Sequence, residues 1–293
     1  MWNRASDIRN FVLNGGCDLG WLLNHLYPED APTAVWFIKG SAIHKGVELA
    51  IINGLSFDEA LYEANVYKLQ LLYEKDEQGV IESSSNRSQR GGLKDLDSAI
   101  ERVLAKWFNT VPPDAPNRMH WYEDYDWPPR TEHMIEVDER PMSSAALYTE
   151  VDAIFEGGPE HKPTAIVDWK TGNTKTAAPS QLHIYRYGME HEGGWEFNDS
   201  KAVGWFHHLD HDKIQVVEPY LGHTVVRHWL EAAAAAKVDL VEEGNIVASP
   251  DWYCNYCPVK DLCPVLSDDA EKAKSWVQIL GRLETAERIP SPT

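Results

Sequence analysis

The segment YTEVDAIF, followed by AIVDWKTG and then QLHIYRY, holds the side chains of this sequence best suited to phosphoryl chemistry. Side chains two apart in a strand share a face, so Asp168 and Lys170 project together, as do Glu150 and Asp152 on the preceding segment. If the two strands pair, carboxylates and one lysine gather on a rigid sheet. Such a set suits a hard divalent cation, Mg2+ or Mn2+, which prefers oxygen ligands. Phosphodiester hydrolysis needs these parts. A bound metal polarises the phosphoryl oxygen and lowers the pKa of an attacking water, while a nearby cation stabilises the transition-state charge. Lys170 is placed for the second task, or for orienting the water. In the helix predicted next, Gln181 and Tyr185 are four apart and stack on one face, where they can hold substrate or Lys170. By itself a D-x-K is weak, because any pair of short strands can carry one by chance.

The cysteines form a second pattern. Cys254, Cys257 and Cys263 make C-x2-C-x5-C in DWYCNYCPVKDLCP, and the fourth, Cys17, lies near the start. No apolar run reaches the roughly 18 residues of a membrane span, and MWNRASDIRN lacks the features of a secretory signal. A cytoplasmic location is therefore expected, with no membrane partner. Thiols stay reduced there, which disfavours structural disulfides. Four thiolates suit a tetrahedral Zn2+ or a [4Fe-4S] cluster, and spacing alone does not choose between them. Four unrelated buried cysteines are the plain alternative.

The elements that would carry these residues follow from periodicity. Asp7 to Tyr27 has helical spacing interrupted by Gly15 and Gly16, which predicts two short helices or one kinked one. Ser41 to Ile52, with Ser41 as N-cap and Gly54 as stop, predicts a helix bearing His44. Helices are expected at 57–73 and 93–108, separated by the loop ESSSNRSQRGG, and the proline-rich 111–130 should lack regular structure. Strands are predicted at 133–137, 146–155 and 164–170, the last two joined through GGPEHKP. A helix at 180–189, a hairpin of 201–209 with 213–217, an alanine-rich helix at 224–241 and a last helix at 267–285 complete the chain. This order predicts an α/β core with a mixed central sheet inside a helical frame.

At 293 residues, 43% hydrophobic, the chain can bury a substantial core. Its 46 acidic and 27 basic residues give a net charge of -19, which opposes a broad grip on a polyanion. A nucleic-acid groove would need a local basic lining, for which Arg87, Arg90, Lys94, Arg102, Lys106, Lys170, Lys175 and Arg186 are candidates; solvated helix faces are the alternative. Twelve tryptophans are many for this length. Trp36 and Phe37, or Trp121, Tyr122, Tyr125 and Trp127, can stack on bases of a single strand, although such residues more often pack in cores or loops.

The ordered set of His44 in GSAIHKGVE, Asp152 in EVDAIF, Asp168 and Lys170 in IVDWKTG, and Gln181 with Tyr185 in QLHIY resembles the RecB-like branch of the PD-(D/E)XK nucleases. The resemblance implies a restriction-endonuclease-like core in which His44, Asp152, Asp168 and the backbone carbonyl of Trp169 ligate the metal. It also implies that Lys170 is the catalytic lysine, supported by the motif of Gln181 and Tyr185. A lone histidine would otherwise be read as structural. Glu48, one turn after His44, and Glu150 are candidates for a supporting role or a second ion, with solvated carboxylates as the plainer expectation.

One distant cysteine with a C-terminal triad is similar to the iron-sulfur nucleases of the CRISPR-adaptation and AddB groups, which favours a [4Fe-4S] cluster over zinc. The expected organisation is one nuclease domain over 1–293: an N-terminal cluster-binding part (1–30), a helical insertion and aromatic loop (31–130), the nuclease core (131–220) and a C-terminal cluster-binding part (221–293). The implied activity is DNA exonuclease action on single strands or duplex ends. Recombination, replication or CRISPR-adaptation proteins are the implied partners, and a phage or bacterial origin fits. Two rival readings are a non-catalytic DNA- or protein-binding module and a zinc-stabilised endonuclease.

Overall fold

The computed structural model describes residues 5–13, 17–28, 33–76, 80–81, 95–123, 125–138, 146–156, 164–172, 177–195, 197, 203–249, 254, 257, 259–268 and 270–285. Helix α1 (Ala5–Ile8) runs into a π-helical turn (Arg9–Leu13) and is followed by α2 (Asp18–Leu26). Strand β1 (Thr33–Ala34) leads into α3 (Val35–Asn53) and α4 (Phe57–Asp76), and β2 (Val80–Ile81) pairs with β1 in parallel. Then come α5 (Leu96–Thr110), the four-residue α6 (His120–Glu123), β3 (Arg130–Asp138), β4 (Ala146–Phe155), β5 (Ala165–Lys170) and α7 (Ser180–Glu192). Strands β6 (Gly204–His208) and β7 (Lys213–Val217) precede α8 (His223–Glu242) and α9 (Trp276–Thr285).

The five-stranded sheet has the order β3-β4-β5-β6-β7, antiparallel except for β5 and β6, which are parallel and joined across the sheet by α7. A parallel neighbour cannot be reached through a tight turn, so α7 must pack back over one face. One sheet face contributes Ala153, Phe155, Val167 and Trp169 to a core shared with α3, α4 and α5. The other contributes Ile135, Val151, Ile166 and Phe206 to a core shared with α7 and α8. A third apolar cluster joins α2 to the C-terminal region through Leu19, Leu22, Leu23, Leu240, Leu262 and Ile279.

Three expectations need correction. Helix α3 begins at Val35, because Val35 and Ile38 extend its buried stripe upstream, so Ser41 is an interior residue and no cap. Gly54 does end that helix, in the left-handed region at φ 63°. The proline-rich stretch contains one short helix, α6, with Tyr122 fully buried. The last helix starts at Trp276; the residues described before it form turns. The expected loops ESSSNRSQRGG and GGPEHKP fall outside the described residues.

Gly204 makes the β5–β6 pairing possible. A Cβ there would lie 1.9 Å from the backbone oxygen of Ile166, and backbone in mid-sheet cannot give way. Gly204→Ala is expected to destabilise the protein by about 3 kcal/mol or more, read as a lower midpoint in urea unfolding.

Candidate active site

The β4–β5 ladder runs from Phe155↔Ala165 to Ala153↔Val167 and ends there. Beyond that point the Asp152 side chain takes over: its Oδ2 accepts the Trp169 N–H at 2.8 Å. The sequence suggests a carboxylate cluster spread over paired strands; it forms instead where the strands part. On the adjoining strand pair, β3 and β4 are in register on both sides of Glu132 but skip the Glu132–Asp152 position. Glu132 has φ 48°, a left-handed conformation rare for a residue with a side chain.

Helix α3 brings His44 to this gap. Its Nδ1 lies 3.6 Å from Asp152 Oδ1, and its Nε2–H donates to the Trp169 carbonyl at 2.8 Å. On the α7 side, Lys170 Nζ is 2.6 Å from Asp168 Oδ1 and donates to Gln181 Oε1 at 3.0 Å. Gln181 in turn donates to the Tyr185 hydroxyl. The structure thus brings His44, Asp152, Asp168, Trp169, Lys170, Gln181 and Tyr185 into one connected set.

Electrostatics divides the groups. Asp168 is 1% exposed, and burial together with the Asp152 charge raises its carboxyl to about 6, against the pull of Lys170. Burial would likewise raise Asp152, but His44, Lys170 and the Trp169 N–H overcome it and hold that carboxyl low. For His44, burial opposes the charged form, yet the Asp152 and Asp168 carboxylates raise it to about 9. Burial and the same two carboxylates keep the Tyr185 hydroxyl protonated.

Of these residues, His44, Asp152, Trp169 and Lys170 border a cavity of about 640 Å3, also lined by Lys45, Glu48, Tyr67, Glu132 and Glu150. Glu48 departs from the solvated expectation: it is 8% exposed and ion-paired with Lys45 at 2.6 Å. Glu150 is exposed, as expected. Burial, then Glu48 and Glu150, raise the Glu132 carboxyl to about 7. No signal in the sequence marks Glu132, because only its position opposite Asp152 gives it a place in the site.

Among the described residues, no group of three or more His, Cys, Asp and Glu side chains stands ready-made for a metal ion. The donors nevertheless suit a hard cation. Asp168 Oδ1 is buried without a hydrogen bond, its contact with Lys170 being an ion pair only. His44 and the Trp169 carbonyl, hydrogen-bonded at 2.8 Å, supply a nitrogen and an oxygen donor beside it.

A feature that sequence reasoning missed braces the site from behind. The Asp210 carboxylate, in the β6–β7 turn, accepts from Lys39 of α3 at 3.1 Å and from the Gly172 N–H just after β5 at 2.5 Å. Its carbonyl accepts from Lys106 of α5 at 2.8 Å. Asp210 therefore ties the His44 helix to the end of the Asp168–Lys170 strand. Asp210→Ala is expected to lower the midpoint of urea unfolding, by about 1–3 kcal/mol in stability, because it removes the partner of Lys39 and of the Gly172 N–H.

The aromatic candidates separate. Tyr122 is buried, and Trp121, Tyr125 and Trp127 pack against the same core. Trp36 and Phe37 are 51% and 50% exposed at the cavity wall. Among the basic candidates, Arg102 is exposed, Lys106 is bonded to Asp210, and Arg186 is 1% exposed with its guanidinium 4.1 Å from the Tyr220 ring, too deep to meet a polyanion. Arg87, Arg90, Lys94 and Lys175 lie outside the described residues.

None of the four cysteines lines this cavity. Burial raises the Cys257 thiol to about 11, with charge on Cys17, Cys254 and Cys263 adding to the rise, so all four sulfurs are within electrostatic reach. None is in a disulfide. Cys17 caps α2, its Sγ accepting the Gly20 N–H at 3.4 Å. A Cβ on Gly20 would lie 3.7 Å from Cys17 Sγ and 3.9 Å from Cys257 Sγ, which places the start of α2 beside both sulfurs. Four cysteines with no disulfide among them have the donor chemistry of a group held by four thiolates, zinc or an iron-sulfur cluster alike.

No helix among the described residues is long and apolar enough to cross a membrane. A family model described as the PD-(D/E)XK nuclease superfamily matches residues 15–264. No curated protein matches the chain.

Proposed function

Because the chain belongs to the PD-(D/E)XK nuclease superfamily, whose nucleases use divalent metals, we propose that it is a Mg2+- or Mn2+-dependent DNA exonuclease acting on single strands or duplex ends. The observation that carries the proposal is the run from the Asp168–Lys170 ion pair through the hydrogen bonds of Lys170 to Gln181 and of Gln181 to Tyr185, set beside His44 and Asp152 at the parting of β4 and β5. His44, Asp152, Asp168 and the Trp169 carbonyl would hold the cation, which supplies Lewis acidity at the phosphoryl oxygen and a lowered pKa for water.

The chain's own residues do the rest. Gln181 holds the Lys170 ammonium in place, and Tyr185 holds Gln181, so the cation is fixed in orientation before substrate arrives. Lys170 orients the attacking water and stabilises charge on the phosphoryl oxygens. The water oxygen bonds to phosphorus and gives up a proton to solvent as the bond to the 3'-oxygen breaks, and the 3'-oxygen takes up a proton from solvent, leaving a 5'-phosphate and a 3'-hydroxyl. Trp169, 3% exposed, closes the floor with apolar surface.

The four cysteines are read as ligands of a [4Fe-4S] cluster that holds α2 against the C-terminal region, with no redox part in the reaction. Work on DNA ends in recombination, replication or CRISPR adaptation, in a bacterial or phage-infected cytoplasm, fits such an enzyme. The direct test is digestion of end-labelled single-stranded DNA by anaerobically purified protein with Mg2+, Mn2+ or EDTA. Metal-dependent release of 5'-phosphorylated products is expected. A folded, metal-supplied protein that binds DNA without cutting it would replace the enzyme by a binding module.

A further inference from the structure

Trp36 and Phe37 sit side by side in the first turn of α3, each about half exposed, on the wall of the cavity that holds His44 and Lys170. Scattered exposed apolar residues need no explanation, but two large rings side by side at a polar cavity do. Phe37, Ser41, His44 and Glu48 follow one another along one helix face and all line the cavity. With about 1.5 Å of rise per residue, Phe37 stands about 10 Å along the axis from His44. A group meeting both rings therefore belongs to a nucleotide beside the one whose phosphate reaches His44.

The charge around the rings narrows the choice of ligand. Glu48, Glu132, Glu150 and Asp152 face the same cavity, against Lys45, Lys170 and His44, and the chain as a whole carries a net charge of -19, so phosphate contacts are few and local. A polyphosphate chain gains little from such walls, so affinity has to come from a part of the substrate without charge. A nucleobase is that part: it is flat, polarisable and able to stack on an indole or phenyl face whatever its sequence. Bases within a duplex already have their faces covered, so only an unpaired strand or a frayed end can use the rings.

We propose that Trp36 and Phe37 form a base-stacking subsite that selects unpaired DNA and seats the nucleotide next to the cleaved bond. The proposal rests on the cavity being the site of phosphodiester cleavage. It makes the rings determinants of specificity, with no part in the chemical step.

The test uses single-stranded oligonucleotides in which one abasic nucleotide is walked through the positions around the cleaved bond, with Mn2+. In wild type, the KM is expected to rise on the order of tenfold when the abasic nucleotide occupies one or two particular positions. In Trp36→Ala/Phe37→Ala, the KM for intact DNA should rise as much, and the abasic nucleotide should cost nothing further. Equal KM values at every abasic position in wild type, or discrimination retained in the double variant, would overturn the subsite. If wild type cuts none of the substrates, the cleavage reading fails separately; fluorescence anisotropy of the same oligonucleotides in EDTA then decides the subsite. Weaker binding of the abasic strands would support it, and equal binding would refute it.

Discussion

Lys170→Ala is expected to cut single-stranded DNA about 10^3-fold more slowly than wild type, with KM little changed, because it removes an oriented cation needed chiefly in the transition state. The geometry makes the loss hard to repair. Lys170 is held by Gln181 at 3.0 Å and paired with Asp168 at 2.6 Å. A solvent cation would have to be ordered anew at each turnover. Loss of metal-dependent cutting of end-labelled DNA is the measurement. A variant that cuts within a few-fold of wild type would remove Lys170 from the mechanism.

The same substitution has a signature in stability. Lys170 lowers the Asp168 carboxyl, which burial and Asp152 hold above its ordinary value at about 6. Without the lysine, Asp168 should rise further. A carboxyl raised in the folded state binds a proton more tightly folded than unfolded, so its contribution to stability is fully present below the unfolded pKa and is lost as pH rises through the folded one. In EDTA, the Tm deficit of Lys170→Ala relative to wild type should therefore be larger at pH 8 than at pH 5. Thermal melts at the two values read it directly.

Cys257→Ala carries the second large effect. If the four cysteines hold one group, it closes a loop of more than two hundred residues between Cys17 and Cys254. A cross-link of that span is worth about 5 kcal/mol in chain entropy, and for a chain of this size each kcal/mol moves Tm by about 2–4 °C. A fall of about 10–20 °C is expected, with loss of bound metal. Wild type should be brown, absorbing near roughly 400 nm, and iron analysis should match the colour. A colourless protein with stoichiometric zinc would replace the cluster by a zinc site, and wild type with neither metal would remove the staple.

Much of the site could be read before folding because strand and helix periodicities are local. The D-x-K spacing puts Asp168 and Lys170 on one face of β5, and the four-residue step places Gln181 and Tyr185 on one face of α7. What spacing could not give was the meeting of those faces. It depends on α7 crossing back over the sheet to bring Gln181 to Lys170, and on α3 reaching the Trp169 carbonyl from 125 positions away in the chain. The misplaced start of α3 has a similar cause. Ser41 has the chemistry of a cap, but the core into which Val35 and Ile38 pack draws the helix further back.

By itself, the sequence determined the α/β class, most of its elements and the residue types of a metal-dependent hydrolytic site, because each is encoded over a few neighbouring positions. Tertiary structure alone decided the rest. It ended the β4–β5 ladder at Ala153, so that Asp152 turns its carboxylate to the Trp169 N–H, and it turned Glu132 into the cavity through a left-handed backbone. It buried Glu48 and Arg186, left Trp36 and Phe37 uncovered, and made Asp210 the brace between two distant elements. Burial, strand register and the charge felt by a buried carboxylate depend on which distant segments share a space, and no local pattern of residue types specifies that.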